Sequence, residues 1–573
     1  MIKDDVKKKL IGALRKINVA FDEKLIDLQP PNLLSFGDYS TSIALKLVKK
    51  LKENPLKIGR KIIKNLEKDE LIEKVEVIKP GFINFWLSKN VLFSNLYQFS
   101  QNNFVSPSFH FGKNKKILIE YAQPNTHKLF HIGHLRNITL GESLARIFEI
   151  LGNKLIRANY QGDVGLHIAK CLWAIKQEQK KEKNILDRFK TISEKIDFIG
   201  KMYTEGTKAY EQDRKAQQEI IEINKQIYEK DEKIFDLWQK TRQWSLDYFE
   251  KIYQRLDTKF DRLFFESEMS QKGLAICDKA LKKGILEKSQ GAIVFNGKKY
   301  GLDTRVFINS LGFPTYEGKE LALAEKEFSE FGTIDKAIHL TTPEQKSFFK
   351  VTFKVEELLN SQKFKDKQQH LSYEWVKLKT GKMSSRQGNI IETNWLIDQV
   401  KNKILTNFKI DNQTAEIISI AAIKYSFLKI SPENPVYFSI DESISLKGNS
   451  GPYLLYTYIR ARSVLKKEGK TNFNNEISSL LNLNLKTDEL NLLRFFNLFS
   501  ESIVKSGSYL SPNFLCQYLY ELSQKFNLFY EHYPILKEKD KNLKTFRLLI
   551  TKTTANIIKK GLYLLGIKTV EKM

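Results

Sequence analysis

The stretch from Lys116 to Tyr160 constrains the fold of this chain more than any other. Lys116–Glu120 (KILIE) is a short apolar run of strand type. Leu140, Leu144, Ile147, Phe148 and Leu151 then recur at helical spacing up to Gly152, a residue suited to follow a helix end. A second strand-type run, Lys154–Tyr160 (KLIRANY), comes next. Strand, helix and strand in that order imply a parallel sheet that binds ligands at the carboxyl ends of its strands.

Between the first strand and the helix stands His131–Ile132–Gly133–His134. That places the tetrad at a helix N-terminus, where unpaired N–H groups and the helix dipole favour a phosphate. Gly133 would let a ligand approach the backbone, and the two imidazoles can donate to phosphoryl oxygens. Two histidines three apart also describe a plain surface or half a metal site. A metal would want further Cys, His or carboxylate ligands nearby, and an HExxH helix a Glu after the first His; neither is evident.

A second element lies about 250 residues on: Lys379–Ile391, KTGKMSSRQGNII. The two together, in this order, resemble the signature of class I aminoacyl-tRNA synthetases, and the surroundings resemble the arginyl-tRNA synthetase family. The residues that carry this are Gln123–Pro124–Asn125 before the tetrad, Lys382–Asn389 (KMSSRQGN), Gly451–Ser463 (GPYLLYTYIRARS) and Gly561–Met573 (GLYLLGIKTVEKM). The resemblance spans nearly the whole chain, thinly between about residues 175 and 285.

The chain of 573 residues suits about three to four domains. The resemblance implies an α/β Rossmann-type catalytic domain with a helical insertion, an N-terminal α+β domain and a C-terminal all-α bundle. The divisions expected are 1–106, 107–394 with the insertion at about 175–285, and 395–573. Gly81–Leu87 (GFINFWL) alternates like a strand, with Ile83, Phe85 and Leu87 on one side. Ala44, Leu47, Val48 and Leu51 follow helical spacing, and Gln101–Gly112 has the composition of a linker. Phe249, Ile252, Tyr253 and Leu256 give the insertion helical periodicity; a solvated coiled hairpin is the alternative. Gly291–Tyr300 carries an Asn-Gly hairpin signal, after which the second half of the sheet is expected from about Arg305. Leu454–Lys467 and Asn513–Tyr530 are amphipathic helices of the bundle.

The formal charge of +27, from 94 Lys+Arg against 67 Asp+Glu, suits an extended polyanion such as RNA, although a lysine-rich surface bias would give the same sum. Cys171, Cys277 and Cys516 are scattered, with no CxxC, which favours a reducing cytoplasm over a disulfide framework. The start lacks the apolar core of a signal peptide and no apolar run reaches about 18 residues, so a soluble cytoplasmic protein with no membrane partner is expected.

From the resemblance follow the expected substrates and sites. ATP, L-arginine and arginine-accepting tRNA are the partners, Mg²⁺ accompanies ATP with no protein ligand assigned, and the unit is a monomer. His131, His134, Lys128 and Lys382 are the catalytic candidates. His131, Gly133, His134, Lys382, Met383 and Ser384 would bind ATP. Glu120, Gln123, Pro124, Asn125, His134, Tyr316, Glu320 and Gln345 would bind arginine. Tyr530, beside Phe529 in the last part of the bundle, would meet tRNA, while the N-terminal domain would contact the tRNA elbow. The family also implies that arginine activation requires bound tRNA.

Three positions depart from the family pattern. Ser385 stands where the general class I loop has a second lysine, so Lys128 or Arg386 must replace that charge. Glu320 stands where Asp is usual, and Phe348 where His is usual. A class I enzyme for another amino acid and an inactive RNA-binding relative are the alternatives; retention of His131, His134 and Lys382 speaks against the second.

Overall fold

The computed structural model describes residues 2–31, 33–104, 114–379, 391–469 and 477–573. Its centre is a five-stranded parallel sheet of β1 (Lys116–Glu120), β2 (Lys154–Gln161), β3 (Arg262–Phe265), β4 (Lys336–Thr341) and β5 (Gln368–Ser372). The strand order is β5-β4-β1-β2-β3, so the chain builds outward from β1 in one direction and later in the other. Such a sheet opens a crevice at the carboxyl ends of the two strands where the direction reverses, here β1 and β4. His339 of β4 lies in register with Glu120 of β1 at that point.

Helix α1 (Ile132–Ile150) links β1 to β2 and is buried continuously from Leu135 to Phe148. A helix apolar on most sides needs cover on more than one face. The sheet covers one side of α1; the C-terminal bundle covers another, Ser143 Oγ donating to the Leu564 carbonyl at 3.0 Å.

Between β2 and β3 rise four helices, Leu166–Lys181, Ile192–Gln212, Arg214–Glu229 and Glu232–Arg255. Phe249, Ile252, Tyr253 and Leu256 are buried there, so the periodic face is a packed core and not one stripe of a solvated hairpin. β3 falls inside the range expected for the insertion yet rejoins the main sheet. Helix α2 (Tyr316–Glu330) then precedes β4, and α3 (Lys346–Leu359) joins β4 to β5.

Two local expectations need correction. Asn296–Gly297 is not a hairpin turn: Asn296 caps a single 3₁₀ turn, Gly297–Tyr300. The tight turn lies earlier, at Gln290 and Gly291, whose φ values of 48° and 77° are those a two-residue hairpin of matching twist demands. Strand Arg305–Ile308 belongs to a separate antiparallel sheet with Glu287–Ser289 and Ala292–Phe295, so the second half of the main sheet begins only at β4.

The N-terminal region is α+β, with Phe82–Leu87 central in a three-stranded antiparallel sheet and Ile83, Phe85 and Leu87 buried. Ala44–Leu51 forms two short helices rather than one. Of the expected linker, residues 105–112 lie outside the described residues. The C-terminal region is all helical apart from Val436–Phe438, and its helices Gly451–Glu468 and Asn513–His532 contain both amphipathic runs. Among the described residues no helix is long and apolar enough to cross a membrane.

Gly451, at the start of the GPYLLY helix, fixes how closely that helix approaches Asn412–Leu428. An added Cβ would lie 2.4 Å from the Ala421 carbonyl oxygen, a backbone atom with little freedom to yield. Gly451→Ala is expected to destabilise the chain by about 1–3 kcal/mol, the usual cost of overpacking. Differential scanning calorimetry checks this; an unchanged melting temperature would mean that the helices part freely.

Candidate active site

A cavity of about 500 Å³ opens at the β1/β4 crevice. Its walls bring together Glu120, Gln123, Asn125, His131, Gly133, His134, Tyr316, Glu320 and Gln345, all singled out from sequence. Glu120 and Glu320 are buried, Gln345 is exposed at the edge, and Tyr316 is 63% exposed at the mouth. Pro124 is buried outside the lining, and Lys128 stands beyond the walls, its ammonium 5.3 Å from the Tyr203 ring centre. Lys382, Met383 and Ser384, with Ser385 and Arg386, lie outside the described residues.

At the start of α1 the two histidines cap the helix and each other's backbone. Gly133 N–H donates to His131 Nδ1 at 3.1 Å, and His131 N–H to His134 Nδ1 at 3.2 Å. Both Nδ1 atoms therefore accept, which leaves the hydrogen of each neutral ring on Nε2. Burial, aided by Lys128, lowers His131 to a pKa of about 4. Burial also holds His134 well below the ordinary value, helped by His131 and Lys128. The rings stack 3.8 Å apart as two neutral N–H donors. Gly133 serves this stack: a Cβ there would lie 2.9 Å from His131 Cε1.

The segment from β1 to the tetrad is strained. Ala122, Gln123 and His127 have φ of 75°, 50° and 61°, a region that side chains rarely adopt. Each such residue costs about 1–3 kcal/mol and persists only when its surroundings dictate it. Ala122 N–H donates to Asn137 Oδ1 at 2.7 Å and Gln123 N–H to Asn159 Oδ1 at 3.0 Å. His127 is fully buried, its N–H held by Ser245 Oγ at 3.0 Å and its Nε2 by Thr241 Oγ1 at 2.8 Å. The inserted helix Glu232–Arg255 thus fixes the loop that aims Gln123 and Asn125. Gly162 leaves room for Asn125, whose Oδ1 would be only 2.1 Å from a Cβ on that glycine.

Flanks of the Lys-Met-Ser segment converge on the same place. Before it, Val376–Leu378 pairs with Val436–Phe438, and Arg136 of α1 donates to the carbonyls of Glu374 (2.8 Å), Phe427 (2.9 Å) and Asn434 (3.3 Å). After it, Ile132 N–H donates to Ile391 O, and Thr393 N–H to Phe130 O, both at 2.9 Å. Residues 379 and 391 are therefore tied to the strand beside α1 and to the tetrad turn itself.

The opposite wall is acidic. Glu120 Oε2 pairs with His339 Nδ1 at 2.9 Å, and its Oε1 accepts from Gln123 Nε2. Glu320 Oε1 is buried without a partner, and burial, then the Glu120 charge, raises its carboxyl well above the usual range. Glu266, also lining the cavity, pairs with buried Lys319 at 2.7 Å. The hydroxyl of Tyr160 is buried and unpartnered. Phe348, Phe349 and Trp375 supply apolar wall.

Sequence reasoning missed Tyr160, Glu266, His339 and Trp375. Tyr160 and Glu266 were within reach of it, because both sit at carboxyl ends of parallel strands (β2, and just past β3), where ligands bind. Glu120, Glu327 and His339 place ligand-type atoms within 4.8 Å of one another. Two of those atoms, His339 Nδ1 and Glu120 Oε2, face each other at 2.9 Å.

Comparison with known proteins decides the family. The sequence model described as "tRNA synthetases class I (R), catalytic domain" matches residues 99–439. The chain belongs to the arginyl-tRNA synthetase family. Residues 2–87 match the arginyl tRNA synthetase N terminal domain and 454–573 the DALR anticodon binding domain. The arginine–tRNA ligase of Fusobacterium nucleatum is 30% identical, covering 94% of both chains. That of Borreliella afzelii is 31% identical over 100% of this chain and 99% of its own. The arginyl-tRNA synthetase structure of Thermus thermophilus superposes with a TM-score of 0.83 at 22% identity over both full chains, showing the same fold.

Proposed function

We propose that this cavity joins L-arginine to ATP as arginyl adenylate and passes the arginyl group to tRNA, with the residues below in the named roles. Charging tRNA with arginine is the activity of the family to which the chain belongs. The observation that carries the site assignment is the division of one crevice into an acidic wall, Glu120 and Glu320, and a neutral donor wall, His131 and His134.

The guanidinium fork needs planar acceptors, and the unpartnered Glu320 carboxyl supplies them. Gln123, Asn125, Tyr316 and Gln345 then orient the amino acid so that its carboxylate oxygen faces the α-phosphorus. Attack there forms the new P–O bond and breaks the bond to the β-phosphate bridge, releasing pyrophosphate. A terminal tRNA hydroxyl next attacks the arginyl carbonyl, and AMP leaves. No side chain need become covalently attached, so the protein's contribution is positioning and charge neutralisation. The Nε2–H groups of His131 and His134 would meet the phosphates, and Lys128, whose ammonium lies over Tyr203 beside the cavity, adds positive charge to that wall. Those residues are donors and not carboxylates, so they fit a Mg²⁺ carried on the phosphates, where it would neutralise charge.

A cytoplasmic monomer is the proposed working form, and three free, buried cysteines suit a reducing compartment. Arginine-dependent exchange of pyrophosphate into ATP, run with each amino acid and with and without tRNA, tests the assignment. Exchange driven by another amino acid, or by none, sinks it; full exchange without tRNA counts only against the tRNA requirement.

In the C-terminal bundle, Tyr530 is 39% exposed while Phe529 is buried, and Arg460 lies 4.9 Å over the Tyr530 ring. An exposed ring beside a guanidinium suits a stacked base and its phosphate. Tyr530→Ala is expected to weaken tRNA binding by about 1–3 kcal/mol and to leave the melting temperature nearly unchanged. Normal tRNA affinity in a destabilised protein would assign Tyr530 to the core instead.

A further inference from the structure

Beneath the acidic wall lies a second layer of ionisable groups that the steps above do not use. His339, fully buried on β4, places Nδ1 2.9 Å from Glu120 Oε2 and Nε2 2.9 Å from Gln368 Oε1. Gln368 Nε2 donates to Glu356 Oε2 at 2.7 Å, which turns the amide oxygen toward His339. His339 Nε2 must then carry a hydrogen. On the other side His339 Nδ1 faces Glu120 Oε2 at 2.9 Å, while Glu120 Oε1 accepts from Gln123. Each ring nitrogen thus faces an oxygen acceptor, an arrangement that suits the doubly protonated, cationic ring.

Carboxyl groups surround that cation. Glu120 faces it from β1, Glu320 and Glu327 from α2, Glu356 from α3, and His370 with Gln368 from β5; the Phe349 and Phe353 rings close the remaining side at 5.4 and 5.6 Å. Glu327 sits two helical turns beyond Glu320, is fully buried, and has no partner for either oxygen. One buried cation thus meets several acids, of which Glu120 and Glu320 line the cavity and Glu327 and Glu356 lie beneath it.

We propose that His339 is a positioning residue for arginine specificity: its imidazolium pins Glu120 from below, presenting Glu120 to the substrate, while Glu327 sets a surplus of buried acid that only a cationic side chain balances. This rests on the arginine pocket proposed above. Burial alone would lower His339, but its bond to Glu120 and the charges of Glu120, Glu327 and Glu320 hold it well above the ordinary value. Burial raises Glu327 well above the carboxylate range, and Glu356 to about 7. Glu320, which lines the cavity, is raised in the same way, so a guanidinium arriving there favours its ionised form.

The test measures arginine KM, ATP KM, kcat and melting temperature for full-length His339→Leu, His339→Asn, Glu327→Gln and the double variant His339→Leu/Glu327→Gln, with tRNA present. For His339→Leu the arginine KM should rise at least about tenfold at neutral pH, the effect of one pKa unit, with ATP KM and kcat within about threefold. Removing the cation raises the neighbouring carboxyls further, so this defect should narrow as pH rises toward about 9. His339→Asn, which keeps an N–H for Glu120 but no charge, should fall between wild type and His339→Leu. The double variant removes one acid with the cation and should recover most of the lost arginine affinity.

An arginine KM equal to wild type at every pH overturns the proposal. So does a defect in His339→Asn and His339→Leu that is shared by ATP KM and kcat, independent of pH and unrelieved in the double variant, which is what a purely structural role predicts. One equivalent of tightly held metal in the purified protein would also overturn it. Wild-type enzyme without arginine-dependent exchange would instead sink the pocket assignment itself, so the two failures are distinguishable.

Discussion

Lys128→Ala is expected to form arginyl adenylate about 100- to 1000-fold more slowly than wild type, the usual loss when one preorganised charge at a developing oxyanion is removed. The residue lies three positions before His131, and its ammonium packs over Tyr203 of the inserted helix Ile192–Gln212, which directs the side chain. Its field reaches the site, since Lys128 contributes to the lowered pKa of both His131 and His134. The arginine KM should stay nearly constant, because Lys128 does not line the acidic wall. A second signature follows from sign. Burial is the larger cause of the His131 shift and Lys128 the smaller, so in Lys128→Ala the imidazole titrates somewhat above about 4. The acid limb of the rate profile should then move upward in pH. The rate of adenylate formation between about pH 3.5 and 8, compared with Arg386→Ala, decides the matter. A crippled Arg386→Ala beside a near-normal Lys128→Ala would assign the replacement charge to Arg386.

The parts legible in the sequence are those whose logic is local. A strand, a histidine tetrad and a helix within 40 residues of one another announced the crevice, and Glu120 was legible because it ends its strand. Tyr316 and Glu320 came from the family resemblance, and their spacing of one helical turn agrees with the cavity they share. His339 was not legible. In KAIHLT it is one polar residue in a buried strand, and its partners Glu120 and Gln368 are 219 and 29 positions away. Only the register of three parallel strands places them together. Glu327 was hidden for a related reason: in a helix carrying five glutamates any one of them reads as solvated until packing shows it fully buried. Gly133 was expected to let a ligand approach the backbone; the group that an added Cβ would meet is the His131 ring. Asn296–Gly297 misled because Asn296 could equally cap a turn of 3₁₀ helix, and only the positive φ at Gln290 and Gly291 marks the real hairpin.

Glu320→Gln is expected to raise the arginine KM about 10- to 150-fold, equivalent to about 1.5–3 kcal/mol for a charge-assisted hydrogen bond. The carboxyl is buried, one oxygen has no partner in the protein, and a guanidinium is the natural complement. Citrulline keeps the shape of arginine but turns a carbonyl oxygen toward Glu320, so wild type should reject it. Linkage gives an independent check. Burial, followed by the Glu120 charge, raises the Glu320 carboxyl, while His339 opposes the shift. A carboxyl raised on folding contributes stability that is fully present below its ordinary value near 4.5 and is lost as pH climbs through the folded value. Glu356 behaves likewise up to about 7. The empty protein should therefore lose stability from these groups as pH rises toward neutrality. Arginine reverses the sign, because it binds the ionised wall. The rise in melting temperature on adding arginine should grow between about pH 5.5 and 8.5 in wild type and be smaller and flatter in Glu320→Gln. Activation of citrulline at the rate of arginine, or an arginine-induced shift that shrinks with rising pH, would remove the acidic wall from the account of specificity.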